Sequence, residues 1–600
     1  MDPVKSTISD GKRRASTSPE ATTTNGSCSK KSKITRESPD PLRQPHFNAQ
    51  KAEDNGIVLR KFYPPEMSNA RATAYNNDEL PRPIEVLQSA LSETESQRQA
   101  IEVKGAVVHW FKSDLRTRDN KALHMASEKA KEKGVPLIAM YIVSPQDFEA
   151  HLTAPARVDF ILRTLEVLKE VLAQLNIPLH IATVEKRKAI PGRIVELLKE
   201  WGASHLFANM EYEVDELRRE AGLVRSCLEN DIAMDVVPDT CVVAAGEIEN
   251  STGKQYSVFT PWFRSWIAYI HGNGHVLDIF EPPGMNPDSA RDRFADLFES
   301  KIPDAPDGKK LSDEEKKRFS SMWPAGEHEA HRRLNKFCEE RIGSYIAQRD
   351  LPGVAATSAL SVHLASGTLN ARTAVSSALA HSHTPRLDGG STGMQTWIRE
   401  IGWRDFYKHV LAHWPYICMN KPWKATYSNI EWEYNPAHFE AWCAGRTGYP
   451  IVDAAMRQLR HCGYMHNRCR MIAASFLAKH LLVDWRMGER YFMEHLIDGD
   501  FASNNGGWGY CASTGVDPQP YFRIFNPLLQ SEKFDADGVY IRTWVKELEG
   551  IGGRAVHDPY GRGKGEEARL AGYSERIVPH KESRERCIER YQEGIGGTPK

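Results

Sequence analysis

The stretch from Thr447 to Asp535 sets Trp, Asp, Asn, Arg and His into an apolar helical frame, and several kinds of chemistry fit those residue types. His461, Cys462, His466 and Cys469 are zinc-ligand types, and on a helix Cys462, His466 and Cys469 share a face. Their spacing is not that of a zinc finger and His461 points away from the other three, so thiols and imidazoles packed in a core are the plainer reading and no metal is expected. Asp498 and Asp500 flank a glycine just ahead of Asn504-Asn505-Gly506-Gly507-Trp508. A carboxylate pair can serve acid–base catalysis, hold a metal or pair with arginine. Beside asparagine, with Arg470 to balance charge, these carboxylates also suit a polar heterocycle whose N–H groups they accept from. A bound cofactor stands ahead of an acid pair, and both stay open.

Nine of the fourteen tryptophans fall between Trp397 and Trp544, so aromatic function is sought there. Trp432, Trp485 and Trp508 taken singly read as core residues; as a set they could pass electrons or stack on bases. Thr357-Ser358-Ala359-Leu360-Ser361 precedes a helix-like segment. It reads either as a helix N-cap or as hydroxyls and helix N–H groups holding a phosphate.

The elements that must position these residues follow from the apolar pattern. Six hundred residues suit two or three domains. Short apolar runs at Ala106–Phe111, Leu137–Val143, Leu179–Ala182, His205–Ala208 and Met234–Val237 alternate with amphipathic patterns such as Arg157–Leu175 and Gly192–Trp201. Buried strands alternating with helices predict an open parallel α/β sheet, a Rossmann-like domain over 105–239. No GxGxxG follows the first strand, which argues against an ordinary dinucleotide site. Residues 240–326, rich in Gly, Pro and charge, read as an interdomain connection with a polar helix near Ser312–Phe319. From 327 to 600 the pattern is helical, without alternating strands.

Residues 1–104 are rich in Ser, Thr, Pro, Asn and charge and read as a mostly disordered extension. Lys12-Arg13-Arg14 and Lys30-Lys31-Ser32-Lys33 form two basic clusters that suit a bipartite nuclear-import signal or a merely solvated tail. Asp2 and Asp10 argue mildly against a mitochondrial presequence, so the nucleus is the expected compartment, with a mitochondrial copy left open. No run of about eighteen apolar residues exists to span a membrane. Ten cysteines without a CxxC pair suggest reduced thiols. A net charge of −1 is unlike most nucleic-acid domains, yet a local basic groove needs only a few well-placed Lys or Arg.

At HWFKSDLRTRDN after the first strand, TSALS at Thr357–Ser361, WIREIGWRDFY at Trp397–Tyr407 and the Thr447–Asp535 stretch, the chain resembles the photolyase/cryptochrome family, and within it the fungal class I cyclobutane-dimer photolyases. The resemblance runs from about Val107 into the C-terminal region, in the family's order. It implies an N-terminal α/β domain and a C-terminal all-helical domain that binds FAD and DNA. By the same resemblance, Tyr345 with Thr357, Ser358, Ala359, Leu360 and Ser361 holds the pyrophosphate side of FAD. Trp397, Arg404, Asn467, Arg470, Asp498, Asp500 and Asn504 surround its ribityl and ring portions, with Asn504 facing the central ring nitrogen.

Trp508, Trp485 and Trp432 match the family's electron relay from flavin to surface, which serves photoreduction. The implied reaction is light-dependent repair of cyclobutane pyrimidine dimers: the dimer flips into the pocket and excited reduced FAD lends it an electron. Glu400 then hydrogen-bonds the flipped bases, Trp403 stacks on them, and Asn467 and Met471 line the pocket. Arg468 contacts phosphates, Gln530 joins the DNA contacts, and Tyr510 stands where bacterial members often carry a second Trp. His151, Asp215, Glu216 and Cys418 match positions that hold a methenyltetrahydrofolate antenna. Asp215 replaces an Asn, however, and Met419 stands where some members have Lys; folate remains the choice over a deazaflavin.

Cryptochrome photoreceptors share the fold and FAD but signal instead of repairing; plant members have Asp where this chain has Asn504. Photolyases of the (6-4) type use a histidine pair where this chain reads Asn467 and Met471, which fits the cyclobutane type. The expected partner is UV-damaged DNA, the expected state a monomer, and no membrane is involved.

Overall fold

The computed structural model describes residues 68–596, His383 excepted. It opens on two helices, α1 (Asn69–Asn76) and α2 (Pro83–Glu93), where the composition led us to expect disorder up to residue 104. Ser68 caps α1 by accepting from the Arg71 N–H, and α2 starts on a proline with Glu85 reaching back to the Arg82 N–H at 2.7 Å. Ile84, Leu87 and Ala90 form a buried stripe, and that burial, not the segment's polar average, decides its state. The two basic clusters lie outside the described residues.

Five strands then make one parallel sheet: β1 (Ala106–Phe111), β2 (Leu137–Val143), β3 (Leu179–Thr183), β4 (Ala203–Asn209) and β5 (Ala233–Val237), in the order β3-β2-β1-β4-β5. Between them run α3 (Lys121–Lys133), α4 (Pro155–Gln174), α5 (Ile190–Glu200) and α6 (Val214–Leu228). Every residue of β1 and β4 is buried, as a sheet covered on both faces requires. Strand order reverses at β1, so the carboxyl ends of β1 and β4 open a crevice of the kind that takes ligands.

The expected interdomain connection is more structured than its composition suggested. It contains α7 (Phe259–Gly272), whose Trp262 and Trp266 are fully buried in the helical core, as well as α8 (Asp313–Met322), capped by Ser312 and Glu315. The helical half follows, chiefly α9 (Glu327–Glu340), α10 (Ala371–Ala380), α11 (Thr392–His413), α12 (Pro436–Ala444), α13 (Pro450–Cys462), α14 (Asn467–Ser475), α15 (Trp485–His495), α16 (Phe501–Ala512) and α17 (His580–Gly596). Among the described residues it carries no strand. No described helix is long and apolar enough to cross a membrane.

The two halves are bolted together by buried charge. Arg372 of α10 reaches Asp119 at 2.6 Å and Asp239 at 2.7 Å, while Arg116, paired with Asp239 inside the α/β half, donates across the seam to the Gly367 carbonyl at 3.0 Å. Thr373 and Asn370 add hydrogen bonds to Asp119 at 2.5 and 2.9 Å. Beside this cluster Gly367, at φ 73°, approaches so closely that a β-carbon would sit 2.0 Å from the Ser113 carbonyl oxygen.

Candidate active site

Helix α11 presents Trp397, Glu400, Trp403 and Arg404 at helical spacing. Glu400 accepts from Arg349 at 2.5 Å. Burial pushes its carboxyl above the usual range, and the Arg349 charge offsets only part of that. Arg349 was missed from sequence, although it stands one helical turn after Tyr345, with its guanidinium 5.7 Å from that ring. Asn467 and Met471 stand one turn apart on the same face of α14, with the amide nitrogen 3.9 Å from the sulfur. Their neighbour Arg468 pairs with Asp350 at 3.0 Å and lies 4.3 Å from the Phe534 ring. Trp403 is partly buried, with one face stacked on Phe259. Glu400 and Arg468 are thus held by the neighbours Arg349 and Asp350; Tyr510 lies on α16 and Gln530 on the following helix.

Arg470 donates to both oxygens of Asp498, at 2.8 and 3.0 Å, and sits 5.4 Å from the Tyr464 ring. Asp500 caps α16, accepting from the Ser503 N–H at 3.0 Å and from Lys408 at 2.8 Å. Burial pushes its carboxyl up, but Lys408 and Arg404 outweigh this and hold it well below the usual range. Lys408 was also missed, since a pair spanning 92 residues leaves no trace in spacing. Arg404 donates to the Thr240 carbonyl at 2.7 Å, so it ties the halves together as well as lining the space near Asp500. On α16 the Asn504 amide nitrogen donates to the Glu489 carbonyl at 2.9 Å, which leaves its carbonyl oxygen to accept from a ring N–H.

Two features fit a flavin dinucleotide. Ala359 adopts φ 51°, a left-handed conformation rare for a residue with a side chain; such a kink lets a backbone loop such as Thr357–Ser361 cradle phosphate. Carboxylates and an oriented amide then offer acceptors for a polar ring edge. The zinc set does not gather: among the described residues the His, Cys, Asp and Glu side chains close enough to share an ion are His151, Glu213, Asp215 and Glu216, not Cys462, His466 and Cys469.

Trp508 rests edge-on against Trp442 (6.1 Å) and Phe492 (5.0 Å). It packs through a gap that only glycine leaves, because a β-carbon on Gly488 of α15 would meet its ring at 2.1 Å. Trp485 starts α15 on the Asp484 cap. Trp432 packs on Tyr591 of α17 at 6.0 Å and is only 6% exposed, so the expected surface end of the set is a covered ring.

At the sheet crevice, His151 meets Glu216 at 2.8 Å and Glu213 at 3.3 Å. Burial alone would lower its pKa, but the two carboxylates raise it well above the ordinary imidazole value. Arg187 binds Asp147 at 2.9 Å, pairs with Asp215 and lies 3.6 Å from Glu216. Asp147, Arg187 and Glu213 were not anticipated. Cys418 does not join this cluster: it is fully buried in the helical core, in the turn that α1 meets through the Asn69–Lys421 and Asn76–Tyr416 contacts.

A family model described as DNA photolyase matches residues 107–280, and one described as the FAD binding domain of DNA photolyase matches residues 397–593. The chain is 59% identical to the deoxyribodipyrimidine photo-lyase of Neurospora crassa, over 98% of this chain and 99% of that one. It is 39% identical to the deoxyribodipyrimidine photo-lyase of Vibrio cholerae, over 81% of this chain and 99% of that protein. Among solved structures, a class III photolyase from Agrobacterium tumefaciens superposes with a TM-score of 0.71 at 31% identity, covering 83% of this chain and 99% of its own.

Proposed function

The chain belongs to the DNA photolyase family, and on that premise we propose that it is a light-driven deoxyribodipyrimidine photo-lyase that repairs cyclobutane pyrimidine dimers in UV-damaged DNA. Residues 327–600 act as the FAD- and DNA-binding half, joined through 240–326 to an antenna domain over 105–239. When bound, reduced FAD excited by blue light supplies the electron that opens the cyclobutane ring and takes it back, so no net redox change occurs.

The residues of the chain bind and orient. The Thr357–Ser361 loop, with its left-handed Ala359, holds the pyrophosphate side. Arg470–Asp498 and Asp500–Lys408 fix charge around the ring system, and Asn504 offers an acceptor oxygen whose orientation its bond to Glu489 sets. Trp508, Trp485 and Trp432 carry electrons inward to restore the reduced state. The flipped dimer lies against Trp403, Asn467 and Met471, with Tyr510 as a second aromatic surface. Arg468 and Gln530 contact the DNA, phosphate contacts supplying the bulk of affinity.

The observation that carries this reading is Glu400, a carboxylate poised on Arg349 beside Trp403 on α11. A carboxyl with a raised pKa at that spot can hydrogen-bond a base and steady the negative charge that repair places on it. Blue-light-dependent loss of thymine dimers from irradiated DNA tests the proposal. Flavin-loaded protein that bound damaged DNA but left its dimers intact under light would instead be a photoreceptor of the cryptochrome kind.

The antenna is a methenyltetrahydrofolate held at His151, Asp215 and Glu216. A strong near-ultraviolet band beside the flavin bands of the purified protein is the expected sign. The enzyme works as a monomer in the nucleus, directed by the clusters at 12–14 and 30–33; a fluorescent fusion with both clusters neutralised should lose nuclear accumulation.

A further inference from the structure

Phe259 begins α7, in a stretch whose composition suggested only a connection, and its ring is fully buried. It lies parallel to the Trp403 indole, with centroids 3.6 Å apart and planes 8° apart. Behind it, Phe263 stacks at 5.3 Å, and the Arg399 guanidinium sits 5.0 Å from Phe259 and 5.5 Å from Phe263. The Phe259 N–H donates to the Asp517 carboxylate at 3.0 Å, which anchors the start of the helix. Gly402 lets α11 close on this stack, since a β-carbon there would meet the Phe263 ring at 2.6 Å. The rest of the Trp403 surroundings is also aromatic: Phe406 meets it edge-on at 5.7 Å and Tyr407 obliquely at 5.4 Å.

We infer that Phe259 is a positioning residue for lesion recognition, holding the Trp403 indole plane so that its open face is set before a dimer arrives. This rests on the reading that Trp403 stacks on the flipped dimer. An indole backed by solvent or by an aliphatic chain can swing about its side-chain bonds; a parallel ring at contact distance excludes those rotamers. The ordering cost of the stacking surface is then met on folding and not on binding, which raises affinity for the lesion without a new contact to it. Arg399 caps the far side of the stack and holds Phe259 in turn. Undamaged duplex presents no flipped base to Trp403, so its affinity is untouched.

Phe259→Leu keeps most of the volume and removes the ring; Phe259→Tyr keeps the ring. The measurement is the ratio of affinities for duplexes with and without a single thymine dimer, read beside flavin absorbance and melting temperature. Phe259→Leu should lower that ratio by about three- to tenfold, the worth of one aromatic pair, with flavin content unchanged, and Phe259→Tyr should restore it to within about twofold. A Phe259→Leu protein that discriminates as well as wild type, while Trp403→Ala loses discrimination, would overturn the inference alone. Full discrimination by Trp403→Ala would overturn the stacking role of Trp403 itself. Should Phe259→Leu fail to fold, Phe259→Met carries the same comparison.

Discussion

In the helical half, Arg349 meets Glu400, Arg470 meets Asp498 and Lys408 meets Asp500, each pair joining separate segments. At the mouth of the sheet crevice Arg187 touches three carboxylates, His151 lies between Glu213 and Glu216, and Arg219 reaches Asp147 and Glu216. A pair fixes a charge at one point on few partners, Asp500 having Arg404 near it besides Lys408. A mesh shares each charge among several groups, so losing one member leaves the others compensated.

The largest difference should appear when one cation is taken from each region. Arg470→Met leaves Asp498 buried and alone and should cost about 3 kcal/mol in urea unfolding, with loss of flavin. Arg187→Met should cost clearly less, because Arg219 and His151 still face the carboxylates; equal losses would break the comparison. Glu400→Ala should lower repair yield by roughly tenfold, the worth of a hydrogen bond to a charged group, while flavin stays bound. Unchanged repair would remove Glu400 from the pocket. Trp432→Phe should block photoreduction yet spare repair by chemically reduced enzyme, and normal photoreduction would refute its relay role.

The smallest effect is the pH response of the crevice. His151 has a folded pKa raised above its ordinary value, so its contribution to stability is fully present below about pH 6.5 and is lost as pH rises through the folded value. Melting temperature should therefore fall on the alkaline side, and His151→Gln should flatten that fall.

How much of this was legible in the sequence depended on whether the signal was local. The runs at Ala106–Phe111 and Leu137–Val143 coincide with β1 and β2 because a strand buried on both faces is a continuous apolar run. Helix α2 was hidden by a polar average, although Ile84, Leu87 and Ala90 sit at helical spacing within it. Helix α7 was obscured by its Gly- and Pro-rich flanks. The residue types around Asp498 and Asn504 left a cofactor and an acid pair both open, and only the family resemblance separated them. Arg349, Lys408 and Arg187 escaped notice because each finds its partner across the fold, where spacing carries no information.

The cluster of Arg116, Asp119, Asp239 and Arg372, with Gly367 pressed against Ser113, has a consequence for how light is used. Opening a hinge between the halves would take Arg372 from both Asp119 and Asp239, which opposes such a motion. A chromophore seated in the crevice would therefore keep one separation and one orientation toward the helical site throughout each cycle. Energy passed through space depends steeply on both quantities. A seam that resists opening would thus help keep capture by such a chromophore steady.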